Sequence, residues 1–258
     1  MDFKGVNDHV VNWLSKYAEN AKMKGFIIGI SGGVDSAVTS MLCAQTGKKV
    51  LALSMPIRQT VAEFQRANEH IENLKARFSN IESIDLNLTE TFGAFEAILP
   101  QQTAQNFLAM ANSRSRLRMM TLYALGQSNG LLVAGTGNKI EDFGVGFFTK
   151  YGDGGVDISP IADLTKTEVF GLAKYLGIVN SIQIAKPTDG LWEDGRSDED
   201  QIGATYPELE WAMDFKGDEN ALTEREKAVL VIYRKFNSAN KHKMEAIPVC
   251  EIPENFKK

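Results

Sequence analysis

Apolar positions along this chain switch repeatedly between the helical period and short continuous runs. Val10, Leu14, Tyr17, Ala18 and Ala21 recur at helical spacing and predict an amphipathic first helix. The run Phe26-Ile27-Ile28 reads as a strand ending at Gly29. A second helix is predicted from Ala37 to Gln45, stopped by Gly47, and Val50-Leu51-Ala52-Leu53 forms a second strand. Thr60-x-x-Glu63 is a capping box opening a helix to about Arg77. Ile81 to Leu86 is a third strand, Thr103 to Gln127 a long helix stopped at Asn129-Gly130, and Leu131 to Ala134 a fourth, fully buried strand. Strand and helix alternate, which predicts an α/β fold: a doubly wound parallel sheet of five strands, in order 3-2-1-4-5, with helices on both faces. No composition shift marks a linker, so residues 1–258 are expected to form a single domain.

The turn after the first strand changes this picture. Gly29-Ile30-Ser31-Gly32-Gly33-Val34-Asp35-Ser36 joins a strand to a helix N-terminus through a Ser/Gly-rich loop, an arrangement whose backbone N–H groups attract anions. It is not a Walker A loop, because Val34 and Asp35 stand where that motif needs glycine and lysine. A carboxylate beside a polyanion is repulsive unless a divalent cation lies between them. The loop therefore reads as a site for nucleotide phosphate with Mg2+, with Ser31 and Ser36 as hydroxyl donors; an ordinary Gly-rich turn is the alternative.

Gly135-Thr136-Gly137-Asn138-Lys139 follows the fourth strand, which the predicted topology places beside the first loop, at the switch point where ligands bind. Glu141 lies just beyond and is a second candidate carboxylate for the metal, or else a surface acid. The following Phe147-Phe148-Thr149-Lys150-Tyr151-Gly152-Asp153-Gly154-Gly155-Val156-Asp157 has the glycines of a loop able to fold over a ligand. A capping box, Thr165 with Glu168, opens a helix ending at Gly177 and leaves Lys166 in its first turn, where the helix dipole disfavours cations. That position is explained if Lys166 meets an anion, although an exposed lysine is the alternative. On the long helix, Arg114 and Arg118 share a face and Arg116 points nearly opposite, at about 100° per residue. Residues 146–157 and 186–206 are long for connections, so both are expected to be mobile and to close over ligands. The acidic run Asp194 to Asp200 reads by charge as a solvated loop.

Composition narrows the classes. A net charge of −5 and the lack of a basic stripe argue against nucleic-acid binding. The two cysteines, Cys43 and Cys250, form no metal-binding pair, and Cys43 reads as a buried apolar residue. No signal peptide or membrane span is predicted, which suits a cytoplasmic enzyme.

Ser31-Gly32-Gly33-Val34-Asp35-Ser36 resembles the SGGxDS signature of the PP-loop ATP pyrophosphatases, which adenylylate a substrate and release pyrophosphate. Together with Arg114 to Arg118, Gly135 to Lys139, Gly146 to Asp157, Leu164 to Lys166, Lys186-Pro187-Thr188 and Lys241-His242-Lys243, it resembles the ammonia-dependent NAD+ synthetase family over most of the chain. The resemblance implies an adenine nucleotide α-hydrolase-like fold and a homodimer with deamido-NAD+ at the subunit interface. It implies that Gly29 to Ser36, Arg58, Thr136, Lys166 and Thr188 contact ATP. Asp35 and Glu141 would hold Mg2+. Arg116, Lys150, Asp157, His242 and Lys243 would contact deamido-NAD+. The stretch around Glu141 is one residue longer than in some bacterial members, so that assignment depends on where the extra residue falls. The implied reaction joins deamido-NAD+ and ammonia, at the expense of ATP, to give NAD+, AMP and pyrophosphate, with Asp35 and Lys166 offsetting charge in catalysis. A glutaminase domain is not expected, since residues 1–25 hold barely one helix. The rivals are another PP-loop ligase, tRNA-modifying or GMP-forming, and a non-catalytic nucleotide sensor.

Overall fold

The computed structural model describes residues 1–188 and 197–257. In chain order the first half runs α1 (Phe3–Asn20), β1 (Gly25–Gly29), α2 (Val34–Gln45), β2 (Lys49–Ser54), α3 (Val61–Arg77), β3 (Ile81–Asp85), α4 (Thr89–Ala97), α5 (Gln101–Ala104), α6 (Phe107–Asn129) and β4 (Leu131–Val133). The second half adds α7 (Lys166–Leu176), α8 (Asn180–Gln183), α9 (Asp198–Ile202), α10 (Tyr206–Asp214) and α11 (Glu224–Met244).

All strand pairs are parallel, in the order β3-β2-β1-β4. The sheet is narrower than predicted. Its fifth member is a single bridge between Ala134 and Ile158. Pro160, two residues on, has no N–H to give to a ladder and ends the pairing. Burial on both faces explains the continuous apolar runs of β1 and β2. Phe26 and Ile28 pack with α1, α2 and α7 on one face, in a cluster including Leu14, Met41, Leu42 and Leu172. Ile27 points the other way, to Leu53, Met119 and Leu122 beneath α6. Cys43 is fully buried in the first of these layers, and Cys250 is exposed.

Helix starts follow local chemistry. Both anticipated capping boxes are present, Thr60 with Glu63 and Thr165 with Glu168, and three more open α9, α10 and α11. The long helix α6 begins at Phe107 rather than Thr103, because the Asn106 side chain accepts from the Ala109 N–H and breaks the chain from the short α5. At its far end Gly130 adopts the left-handed conformation that closes the helix.

A separate apolar cluster joins α10 and α11 to a π-helical turn over Ile140–Val145; Ile140, Leu209, Val229 and Leu230 are its buried centre. Placed just past β4, it walls one side of the crevice. The acidic run also departs from expectation. Residues 194–196 lie outside those described, but Asp198 is buried at the start of α9 rather than solvated. No helix among the described residues is long and apolar enough to cross a membrane.

Candidate active site

A cavity of about 690 Å3 opens where the chain ends of β1 and β4 diverge. This is the switch point of the parallel sheet, and the volume suits a nucleotide-sized ligand. Gly29 through Ser36 line one wall. The loop is held by its own hydroxyls: Ser36 Oγ donates to the Gly33 carbonyl at 3.0 Å, and the Ser31 and Ser36 hydroxyls lie 3.1 Å apart. Gly32 has φ +84°, and a Cβ there would stand 2.6 Å from the Glu63 carbonyl, so only glycine fits between the loop and α3. No side chain caps α2 at Gly33, which leaves its first N–H groups for a ligand anion.

Opposite the loop stands Lys166, only 3% exposed. Its Nζ donates to Asp35 Oδ2 at 2.6 Å and to Glu141 Oε1 at 3.0 Å. The expectation that a first-turn lysine meets an anion is explained by these two carboxylates. Asn138, fully buried, completes the frame: its Nδ2 donates to Asp35 Oδ1 at 3.1 Å, while its Oδ1 accepts the N–H groups of Ile140 and Glu141. Burial pushes the Asp35 carboxyl up, and the Lys166 charge only partly offsets it. Burial also acts on Glu141, but Lys166 and the Tyr206 hydroxyl hold it below the usual range. Burial would lower Lys166; the charges of Asp35 and Glu141 outweigh it and keep the ammonium protonated.

A π-helical turn spans Ile140–Val145. An α-helix absorbs one added residue as a π turn, commonly at a functional site. Here that turn carries two successive acids, Glu141 and Asp142, to the cavity wall. Glu141 is the one that meets Lys166 beside Asp35. Asp142 lies against Gly137, where a Cβ would approach its Oδ1 to 2.2 Å. Burial, with the charges of Glu141, Asp153 and Asp35, raises its carboxyl to about 8.

Arg116, Lys150, His242 and Lys243 gather at the other end of the cavity. Arg116 Nε donates to the Lys150 carbonyl, Lys150 Nζ to the His242 carbonyl, and Lys243 Nζ to the Phe148 carbonyl. Arg114 and Arg118 turn inward, Arg118 Nε bonding the Met55 carbonyl, whereas Arg116 is exposed, as the helical spacing predicts. The residue 146–157 segment bonds to α6. Thr149 Oγ1 donates to Asn112 Oδ1 and Ser115 Oγ donates to Asp153 Oδ1, both at 2.6 Å. Thr136 and Thr188 also line the cavity; residues 189–196 of the second expected cover lie outside those described.

Two expected residues are not brought to the cavity wall. Arg58 has φ +53° and pairs instead with Glu96 on α4. Asp157 faces the far side of α6, accepting from the Tyr123 hydroxyl at 3.0 Å and the Val133 N–H at 2.8 Å. Conversely, sequence reasoning assigned no role to Asn138, Asp142, Asp153 or Tyr206. Asn138 and Asp153 lie inside quoted motifs, and the capping box at Thr205 was a readable signal for Tyr206.

Asp35 and Glu141 suit a hard divalent cation such as Mg2+, which takes one or two protein carboxylates and completes its shell with phosphate oxygens and water. A parallel α/β sheet with an uncapped Ser/Gly loop facing a lysine and paired acids defines a nucleotide-dependent enzyme of the PP-loop ATP pyrophosphatase class.

Comparisons sharpen the class. The model of the family described as NAD synthase matches residues 6–246. A Mycoplasma genitalium protein described as NH3-dependent NAD+ synthetase is 39% identical over 90% of this chain and 90% of its own. A solved structure of an NMN synthetase from Francisella tularensis superposes with a TM-score of 0.87 at 35% identity, covering 98% of this chain and 100% of that one. An NH3-dependent NAD synthetase from Campylobacter jejuni shares the fold, with a TM-score of 0.79 at 23% identity over 97% of this chain and 100% of that one. The chain belongs to the NAD synthase family.

Proposed function

We propose that this protein is an ammonia-dependent, amide-forming ligase that makes NAD+ from deamido-NAD+ and ATP. The observation that carries this reading is the opposition of the uncapped loop Gly29–Ser36 to Lys166, Asp35 and Glu141 in a chain of this family. A carboxylate does not react with ammonia at neutral pH, so the nicotinate carboxylate first attacks the α-phosphorus of ATP. Pyrophosphate leaves onto the loop N–H groups. Ammonia then displaces AMP from the acyl-adenylate. The chain supplies positioning and charge stabilisation rather than a covalent nucleophile. Asp35 and Glu141 would hold Mg2+, which supplies charge neutralisation at the phosphates when bound. Lys166, Thr136 and Thr188 serve the ATP side, and Arg116, Lys150, His242 and Lys243 the nicotinate nucleotide side.

One exposed face of α6 presents Leu108, Met120 and Tyr123. We assign that face to a homodimer interface, where Asp157, bonded to Tyr123, would reach a nucleotide shared between subunits. We further propose a single-domain cytoplasmic enzyme that takes free ammonia.

A second reading concerns the acceptor. The likeness to the Francisella tularensis NMN synthetase supports nicotinate mononucleotide as a substrate for the same chemistry. Supplying each acceptor with ATP and ammonium, and following AMP, pyrophosphate and the amide product, separates the two. NAD+ formed with one AMP and one pyrophosphate is expected. A higher kcat/KM for the mononucleotide establishes the second reading, and stoichiometric ADP refutes both.

A further inference from the structure

Tyr206, the first residue of α10, is 3% exposed and packs in the cluster with Ile140 and Leu209. Its ring lies under the Lys166 ammonium, with Nζ 4.7 Å from the ring centroid. Its hydroxyl is 2.6 Å from Glu141 Oε1 and 3.0 Å from Asp198 Oδ2. One hydroxyl proton cannot serve two carboxylates equally, and the shorter contact marks Glu141 as its acceptor. Lys166 donates to that same Oε1. Two donors on one oxygen restrict how the carboxylate can turn.

The tyrosine is itself held in place. Its N–H donates to Glu199 Oε1 at 2.9 Å, Thr205 caps α10, and Pro207 follows in the first turn. The Asp198 N–H donates to the Pro187 carbonyl, which links this connection to Lys186-Pro187-Thr188 on the cavity wall.

We propose that Tyr206 is a positioning residue that sets the orientation of Glu141 toward the divalent cation. The inference rests on reading Asp35 and Glu141 as the metal pair. A phenylalanine would fill the same apolar site and keep the ring beneath Lys166, so packing alone does not require the hydroxyl. Groups that orient metal-binding carboxylates commonly change metal affinity about 10–100-fold when removed.

The test is Mn2+ binding in the presence of a non-hydrolysable ATP analogue, read by the electron paramagnetic resonance signal of free Mn2+. Tyr206→Phe should raise the Mn2+ Kd about tenfold, with thermal unfolding still cooperative and at nearly the wild-type temperature. In a Glu141→Gln background the same substitution should add no further loss. An unchanged Kd in Tyr206→Phe, or an equal loss in both backgrounds, overturns the positioning role. Failure of the wild-type protein to bind Mn2+ with the analogue removes the metal reading itself, and the inference with it.

Discussion

Replacing Lys166 by methionine is the most revealing perturbation of the site. The substitution keeps length and apolar stem but removes the charge shared by Asp35 and Glu141. Both carboxylate side chains are 16% exposed and the lysine 4%, so water cannot replace the lost partner in full. Removing one member of a buried ion pair typically costs about 3–5 kcal/mol. For a domain of this size each kcal/mol lowers the melting temperature by roughly 2–4 °C, so a fall on the order of 10 °C is expected. Asp35→Ala makes the contrast. It leaves Lys166 paired with Glu141 at 3.0 Å, so its cost should stay below about 2 kcal/mol even though turnover is lost. Urea unfolding in metal-free buffer at neutral pH measures both. The Lys166→Met deficit should shrink in acid, where the stranded carboxylates take up protons. A Lys166→Met protein within about 1 kcal/mol of wild type, the range of a surface pair, would refute the claim that this lysine balances buried charge.

Other outcomes follow from different parts of the molecule. His70 is fully buried with its Nε2 2.8 Å from Ser40 Oγ, and burial lowers its imidazole to about 4. Below an unfolded value near ~6.5 the unfolded chain binds a proton that the folded chain does not until about pH 4, so stability falls across that window by roughly 2 kcal/mol between pH 7.5 and pH 5. Urea unfolding against pH checks this, and a His70→Gln profile as steep as wild type would contradict it. Hydrogen exchange should find Thr149 and Asp153 protected even without ligand, because their N–H groups donate to Asp153 Oδ1 and to Ser115 Oγ on α6; exchange at unfolded rates would restore the mobile cover. Sedimentation at micromolar concentration should give a dimer, and a fully active monomer would remove α6 from the interface.

Much of this architecture is local and was legible in the chain. Strand and helix alternation, the capping boxes at Thr60 and Thr165, the split of Arg116 from Arg114 and Arg118, and the anion-attracting turn at Gly29–Ser36 depend on neighbours a few residues away. The resemblance carried by the motifs added the chemistry. Tertiary packing decided the rest. Lys166 meets Asp35 across 131 residues and Asn138 meets Asp35 across 103, and no periodicity reports such pairs. The π turn that brings both Glu141 and Asp142 to the cavity has no periodic signal in the sequence. Arg58 was drawn away by Glu96, and Asp198 was buried by the helices packed around it. Charged side chains are long and flexible, so their partners are chosen by which elements the crossovers bring together and by where burial excludes water. Backbone periodicity is set by the chain itself, whereas the electrostatics of the site exists only once β1, β4, α7 and α10 are in place.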